Sequence, residues 1–100
     1  MDILVRIKRA VLAGNVVYTD KAEMEMEIDR LHRWEVEESI VYANAIYKTI
    51  RSTSSGRKRQ LLHVIHGTTL NGMAVYTKGR LVVRADVETY YILVSSKRAT

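Results

Sequence analysis

One hundred residues suffice for a single domain, 1–100, with a modest core. At 47% hydrophobic and 27% charged the composition excludes a disordered chain, and the absence of cysteine excludes a disulfide framework and a thiolate zinc site. A net charge of +5 without a basic amphipathic helix, a signal-peptide pattern or a membrane-length apolar run predicts a cytoplasmic protein with a polyanionic partner and no membrane.

The first predicted element is a helix over 2–13. Asp2 can cap it, Ile3, Leu4, Ile7, Val11 and Leu12 recur at helical spacing, and Gly14 is a natural stop. A second helix is predicted over 20–31, capped by Thr19 or Asp20, with Met24, Ile28 and Leu31 as its apolar stripe. A third, over 34–43, would bury Val36, Ile40 and Val41. The character then changes. Residues 45–52 read as a strand, 52–56 as a turn followed by the Arg57-Lys58-Arg59 cluster, and 60–68 as a second strand. Leu70-Asn71-Gly72 closes a hairpin into a third strand over 73–84, bent or bulged at Gly79. A last strand covers 89–96. Helices first and hairpin-linked strands after them define an α+β fold, with three helices on one face of an antiparallel sheet of three to four strands.

Strand alternation sorts the sheet into faces. Met73, Val75, Thr77, Leu81 and Val83 share a core parity. Tyr76, Lys78, Arg80 and Arg84 share the other, an open face rich in cations. In the last strand Tyr90, Ile92 and Val94 are expected inward, with Tyr91, Leu93, Ser95 and Lys97 outward. His63 and His66, three apart in a strand, must point to opposite faces and cannot share a metal ion. His66 shares parity with Leu62 and Val64 and is expected to be partly buried, which leaves His63 as the outward histidine. No metal and no cofactor is expected, because Asp86 and Glu88 are the only acids after residue 44.

The charges are segregated. Residues 1–44 hold nine acids and six bases, a net of −3, while residues 45–100 hold ten bases and two acids, a net of +8. A basic sheet face with tyrosine and histidine among its cations can grip phosphates and stack bases of single-stranded RNA. The same lysines and arginines would also serve as a solvated face that blunts sheet edges.

Several strings, in order, resemble the RelE-like messenger-RNA interferase toxins, above all the MqsR-type branch and its uncharacterised relatives. They are "IKRAVLAGNVVYT" at 7–19, "WEVEESIV" at 34–41, "YK" at 47–48, "LLHVIHGTTLNGMAVYTKG" at 61–79 and "YYILVSSKRA" at 90–99. The resemblance spans essentially the whole chain. It implies an endoribonuclease toxin of a type II toxin–antitoxin pair that cuts mRNA, free or on the ribosome, without metal. It also implies a cognate antitoxin, of a kind with zinc-finger and helix-turn-helix regions, that holds the enzyme inactive. The family pattern of a Lys on the first strand, a Tyr on the third and a Lys ending the last falls on Lys48, Tyr76 and Lys97. Its polar residue on the second strand, Gln in the best-known member, falls on His63, a departure.

Such residues suit cleavage by the RNA's own 2′-hydroxyl, which needs a base, an acid for the departing 5′-oxygen and cations for the growing charge. On this assignment His63 or Tyr76 moves protons, and Lys48, Lys78 and Lys97 hold phosphate charge. Arg51, Arg57, Lys58, Arg59, Arg80 and Arg84 extend the binding surface. The competing readings are a non-catalytic RNA-binding or ribosome-associated domain, and a basic module that docks an acidic protein.

Overall fold

Three helices precede the main strands. The computed structural model describes residues 2–52, 60–84 and 88–99. Helix α1 spans Ile3–Leu12, and Asp2 Oδ1 accepts from the Leu4 N–H at its start. Gly14, at φ +79°, supplies the left-handed turn that ends it. A short strand, β1, follows at Val16–Tyr18. Helix α2 is Asp20–Asp29, capped by Thr19 through the Ala22 N–H, and Arg30 closes it in the αL conformation. Helix α3 is Arg33–Val41, where Glu35 reaches back to the His32 N–H. Strands β2 (Lys48–Ser52), β3 (Gln60–Thr68), β4 (Ala74–Arg84) and β5 (Glu88–Arg98) complete the described chain. Gly72, at φ +85°, turns β3 into β4 as its Asn-Gly dipeptide requires.

The sheet has five strands in the order β1-β5-β4-β3-β2. Strands β2 to β5 pair antiparallel, and β1 lies parallel to β5 with Val17 opposite Ile92. The α+β class stands, but the sheet is mixed and five-stranded rather than antiparallel with three or four. Among the described residues no helix is long and apolar enough to cross a membrane.

One apolar cluster joins Ile7 and Val11 of α1, Met26 of α2, and Val36 and Ile40 of α3 to Ile65, Val75, Tyr91 and Leu93 on one face of the sheet. Close approach of α3 depends on Gly67, where a Cβ would overlap the Ser39 carbonyl. Gly79 plays the same part for Tyr91, whose ring carbon Cζ would lie 2.6 Å from an added Cβ. The register slips between Lys78, opposite Ser95, and Gly79, opposite Leu93, so Val94 is the extra residue of a bulge carried by β5. Parity in β4 therefore holds, and parity in β5 reverses. Tyr91 and Leu93 are fully buried instead of Ile92 and Val94, while Lys97, beyond the bulge, still faces out.

Helix α2 turns differently from its expected stripe: Ala22 and Met26 are buried, and Met24 and Ile28 are exposed. Its acids have a structural use. Beyond the reach of β1, the outer edge of β5 has unpaired N–H groups, and Glu25 Oε1 accepts from Ser96 N (3.1 Å) while Asp29 Oδ2 accepts from Arg98 N (2.8 Å). Glu25 also accepts from the Ser95 hydroxyl at 2.7 Å. Two carboxylates one helical turn apart thus close the edge on both sides of Lys97.

Candidate nucleic-acid interface

The face of the sheet away from α1 and α3 is organised in rows. One row runs Lys48, Val64, Lys78, Ser95 across β2, β3, β4 and β5. The next runs His66, Tyr76, Lys97. Val64 is fully buried yet stands apart from the helix-side cluster, between two lysine stems that can cover it. Tyr47, just before β2, donates its N–H to the Val64 carbonyl at 2.8 Å, which sets it beside the second row. Its ring stacks on His66, with centroids 4.1 Å apart and planes within 11°. His66 lies 5.7 Å from the Tyr76 ring at a tilt of 49°. Lys97 Nζ is 5.3 Å from the centre of the Tyr76 ring and Lys48 Nζ 5.8 Å from that of Tyr47, both in cation–π range.

The sequence Lys48–Tyr47–His66–Tyr76–Lys97 is therefore one continuous strip, with Lys78 beside it. No carboxylate stands in either row, and among the described residues Lys48, Lys78 and Lys97 form no ion pair. Strands supply fixed spacing, since neighbours across a sheet repeat at about 4.8 Å.

Of the expected catalytic set, Lys48, Tyr76, Lys78 and Lys97 share this face. His63 does not. It pairs with Gly79, shares the helix-side parity of Ile65 and Thr77, and is only 5% exposed. Its Nδ1 lies 3.0 Å from Thr49 Oγ1, and burial lowers its pKa from the usual histidine value. His66, expected inside, is the exposed histidine on the open face. The two histidines are thus exchanged relative to expectation, though they do point to opposite faces. Arg80 follows the open-face parity opposite Ile92. Arg84 is exposed, its guanidinium 5.5 Å from the Tyr90 ring. Arg51 pairs with Leu61 at the parity of Thr49 and His63, so it faces away from Tyr76. Arg57, Lys58 and Arg59 lie outside the described residues, as does Asp86.

Tyr47 and His66 are the additions that geometry makes to the strip. The signal for Tyr47 was its place next to Lys48. For His66 it was its register with Tyr76, legible only once Val64 is known to face outward. Searches for similar proteins found no matching family model, no matching curated protein and no matching solved structure.

Proposed function

We propose that this protein is a metal-independent RNA endonuclease, an mRNA interferase toxin whose open sheet face binds single-stranded RNA and cuts it by 2′-hydroxyl attack. The observation that carries the reading is the His66–Tyr76–Lys97 row beside Tyr47, on a face whose three lysines form no ion pair among the described residues. Tyr47 and Tyr76 offer rings for bases, and Lys48, Lys78 and Lys97 offer charge for the phosphates. His66, in the same row as Tyr76, takes over the proton-transfer role first assigned to His63. With ring centroids 5.7 Å apart, His66 and Tyr76 can address two oxygens of one phosphodiester. Lys97 stabilises the charge that develops on the phosphorane. The cognate partner in this reading is an antitoxin protein that blocks the strip.

The test is a cleavage assay on single-stranded RNA with and without EDTA. The expected result is chelator-resistant cutting with a 2′,3′-cyclic or 3′-phosphate on the upstream product. Activity that disappears in EDTA and returns with Mg²⁺ overturns the mechanism. Salt-sensitive binding with no cleavage selects the non-catalytic RNA-binding reading, which the stacking of Tyr47 over one face of His66 would then explain.

A further inference from the structure

A cavity of about 470 Å³ lies between the first turns of α1 and strands β3 and β4. Its volume falls in the range of small-molecule sites. Its walls include the aliphatic side chains of Ile3, Leu61, Leu81 and Val82, and four polar residues line it as well, Gln60 and Arg80 of open-face parity and two from the helix side. One is Arg6, half-buried, whose guanidinium has no ion pair or hydrogen bond among the described residues. The other is His63, whose Nδ1 is engaged by Thr49 while its Nε2 has no partner among those residues.

Each feature constrains a ligand. A half-buried guanidinium without a counter-charge favours an anion, and its fork matches phosphate. A neutral, nearly buried imidazole, held by one nitrogen, presents the other as a hydrogen-bond donor or acceptor according to tautomer. Aliphatic walls favour a flat or apolar body between charge and imidazole. A free inorganic anion would leave those walls and His63 unused, and a simple acyl chain would leave His63 unpaired. A nucleobase edge carries both donors and acceptors, so it satisfies either tautomer of His63.

We propose that this cavity is a nucleotide site: it takes a nucleoside monophosphate, with the phosphate on Arg6, the base between Ile3, Leu61 and Leu81, and the base edge on His63. The site contains none of Tyr47, Lys48, His66, Tyr76 and Lys97, so it does not depend on the RNA-cleavage reading, although it shares Arg80 with the expected binding surface. It also accounts for a buried histidine that the strip does not use.

The experiment titrates the full, isotope-labelled chain with adenosine monophosphate, adenosine and inorganic phosphate, followed by NMR. Expected are saturable shifts at Arg6, Leu61, His63 and Leu81 with the monophosphate, and much weaker ones with either fragment alone. Arg6→Gln should weaken the monophosphate about tenfold or more, as loss of a charged hydrogen bond does. Lys97→Ala should leave it unchanged. Leu61→Trp, at a position already 48% exposed, should block binding while the amide spectrum stays that of a folded protein. The proposal is overturned if shifts appear only at Tyr47, His66 and Tyr76, which would put the nucleotide on the open face. It is equally overturned if phosphate alone binds as well as the nucleotide, if nothing saturates at millimolar concentration, or if neither variant changes the titration.

Discussion

Ile65 and His66 are adjacent in β3 and belong to different environments. Ile65 is 1% exposed, in the cluster with Val36, Ile40 and Tyr91. His66 lies on the open face between Tyr47 and Tyr76. The contrast extends across the sheet. The helix side carries apolar side chains, two glycines that admit Ser39 and Tyr91, and a histidine held by burial in its neutral form. The open side carries lysines that form no ion pair among the described residues, and aromatic rings between them. One strand thus serves stability and recognition at alternate positions, and the two can be separated by substitution.

The largest effect should come from the helix side. Ile65→Ala removes a fully enclosed side chain and should cost about 2–5 kcal/mol, whereas His66→Ala should stay within about 0.5 kcal/mol. Urea denaturation of the two variants measures both. Equal losses would mean that the two faces are not the separate environments described. The next effect belongs to the strip. Tyr76→Phe and Lys97→Ala should leave the melting transition in place yet lower RNA cleavage at least about tenfold, near 1.4 kcal/mol of transition-state stabilisation. His63→Gln should cut at close to the parent rate, because that residue is on the far face. A large drop for His63→Gln with none for Tyr76→Phe would reverse the assignment of faces to functions.

Much of this division was readable from residue types, and the places where it was not have specific causes. Caps at Asp2 and Thr19, the Gly14 stop and the Asn71-Gly72 hairpin are local signals, and they fell where local chemistry put them. Strand β1 is only three residues long and pairs with residues some 75 positions later, so no local pattern announces it. In α2, Met24, Met26 and Ile28 alternate at a spacing of two, which does not define a helix face, and packing chose Met26 over its neighbours. The reversal in β5 follows from one extra residue, Val94, since a single insertion puts the side chains on its two sides at opposite parities: Lys97 keeps its outward place, and Tyr91 and Leu93 turn inward. Val64 misled the assignment of the histidines. It is apolar and fully buried, but in the row between Lys48 and Lys78, so burial there does not mark the helix side. Lys48, Tyr76, Lys78 and Lys97 came out on one face because none of these shifts affects their parity.

A smaller effect tests the charge on the open side. Lys48→Gln removes one cation from the strip and should weaken RNA of every sequence alike. It should also reduce the slope of log affinity against log salt by about 0.7, the share of one phosphate contact on a single strand. Fluorescence anisotropy across a salt series reads both. An unchanged slope with weaker binding would mean that Lys48 acts through its contact with the Tyr47 ring rather than on a phosphate. A change confined to one RNA sequence would mean base readout.

The smallest expected effect sharpens the difference between the two histidine environments. Burial holds the His63 pKa below its ordinary value of 6.5, so the folded protein binds that proton less readily than the unfolded chain. Well above the ordinary value neither state is protonated at His63 and the residue adds no pH dependence. As the pH falls through it, the unfolded chain gains the proton first, and folding stability declines with acid. The decline from this group ends once the pH is below the folded pKa, where both states carry the proton. Thr49 Oγ1 at Nδ1 leaves room for this shift, because a hydroxyl offers no negative charge to favour the imidazolium. Urea midpoints measured from about pH 7.5 to 5.5 should therefore fall for the parent chain and flatten in His63→Gln. A parent stability that rises toward acid in that window, or a slope that survives the substitution, would show that His63 is not held neutral by its burial.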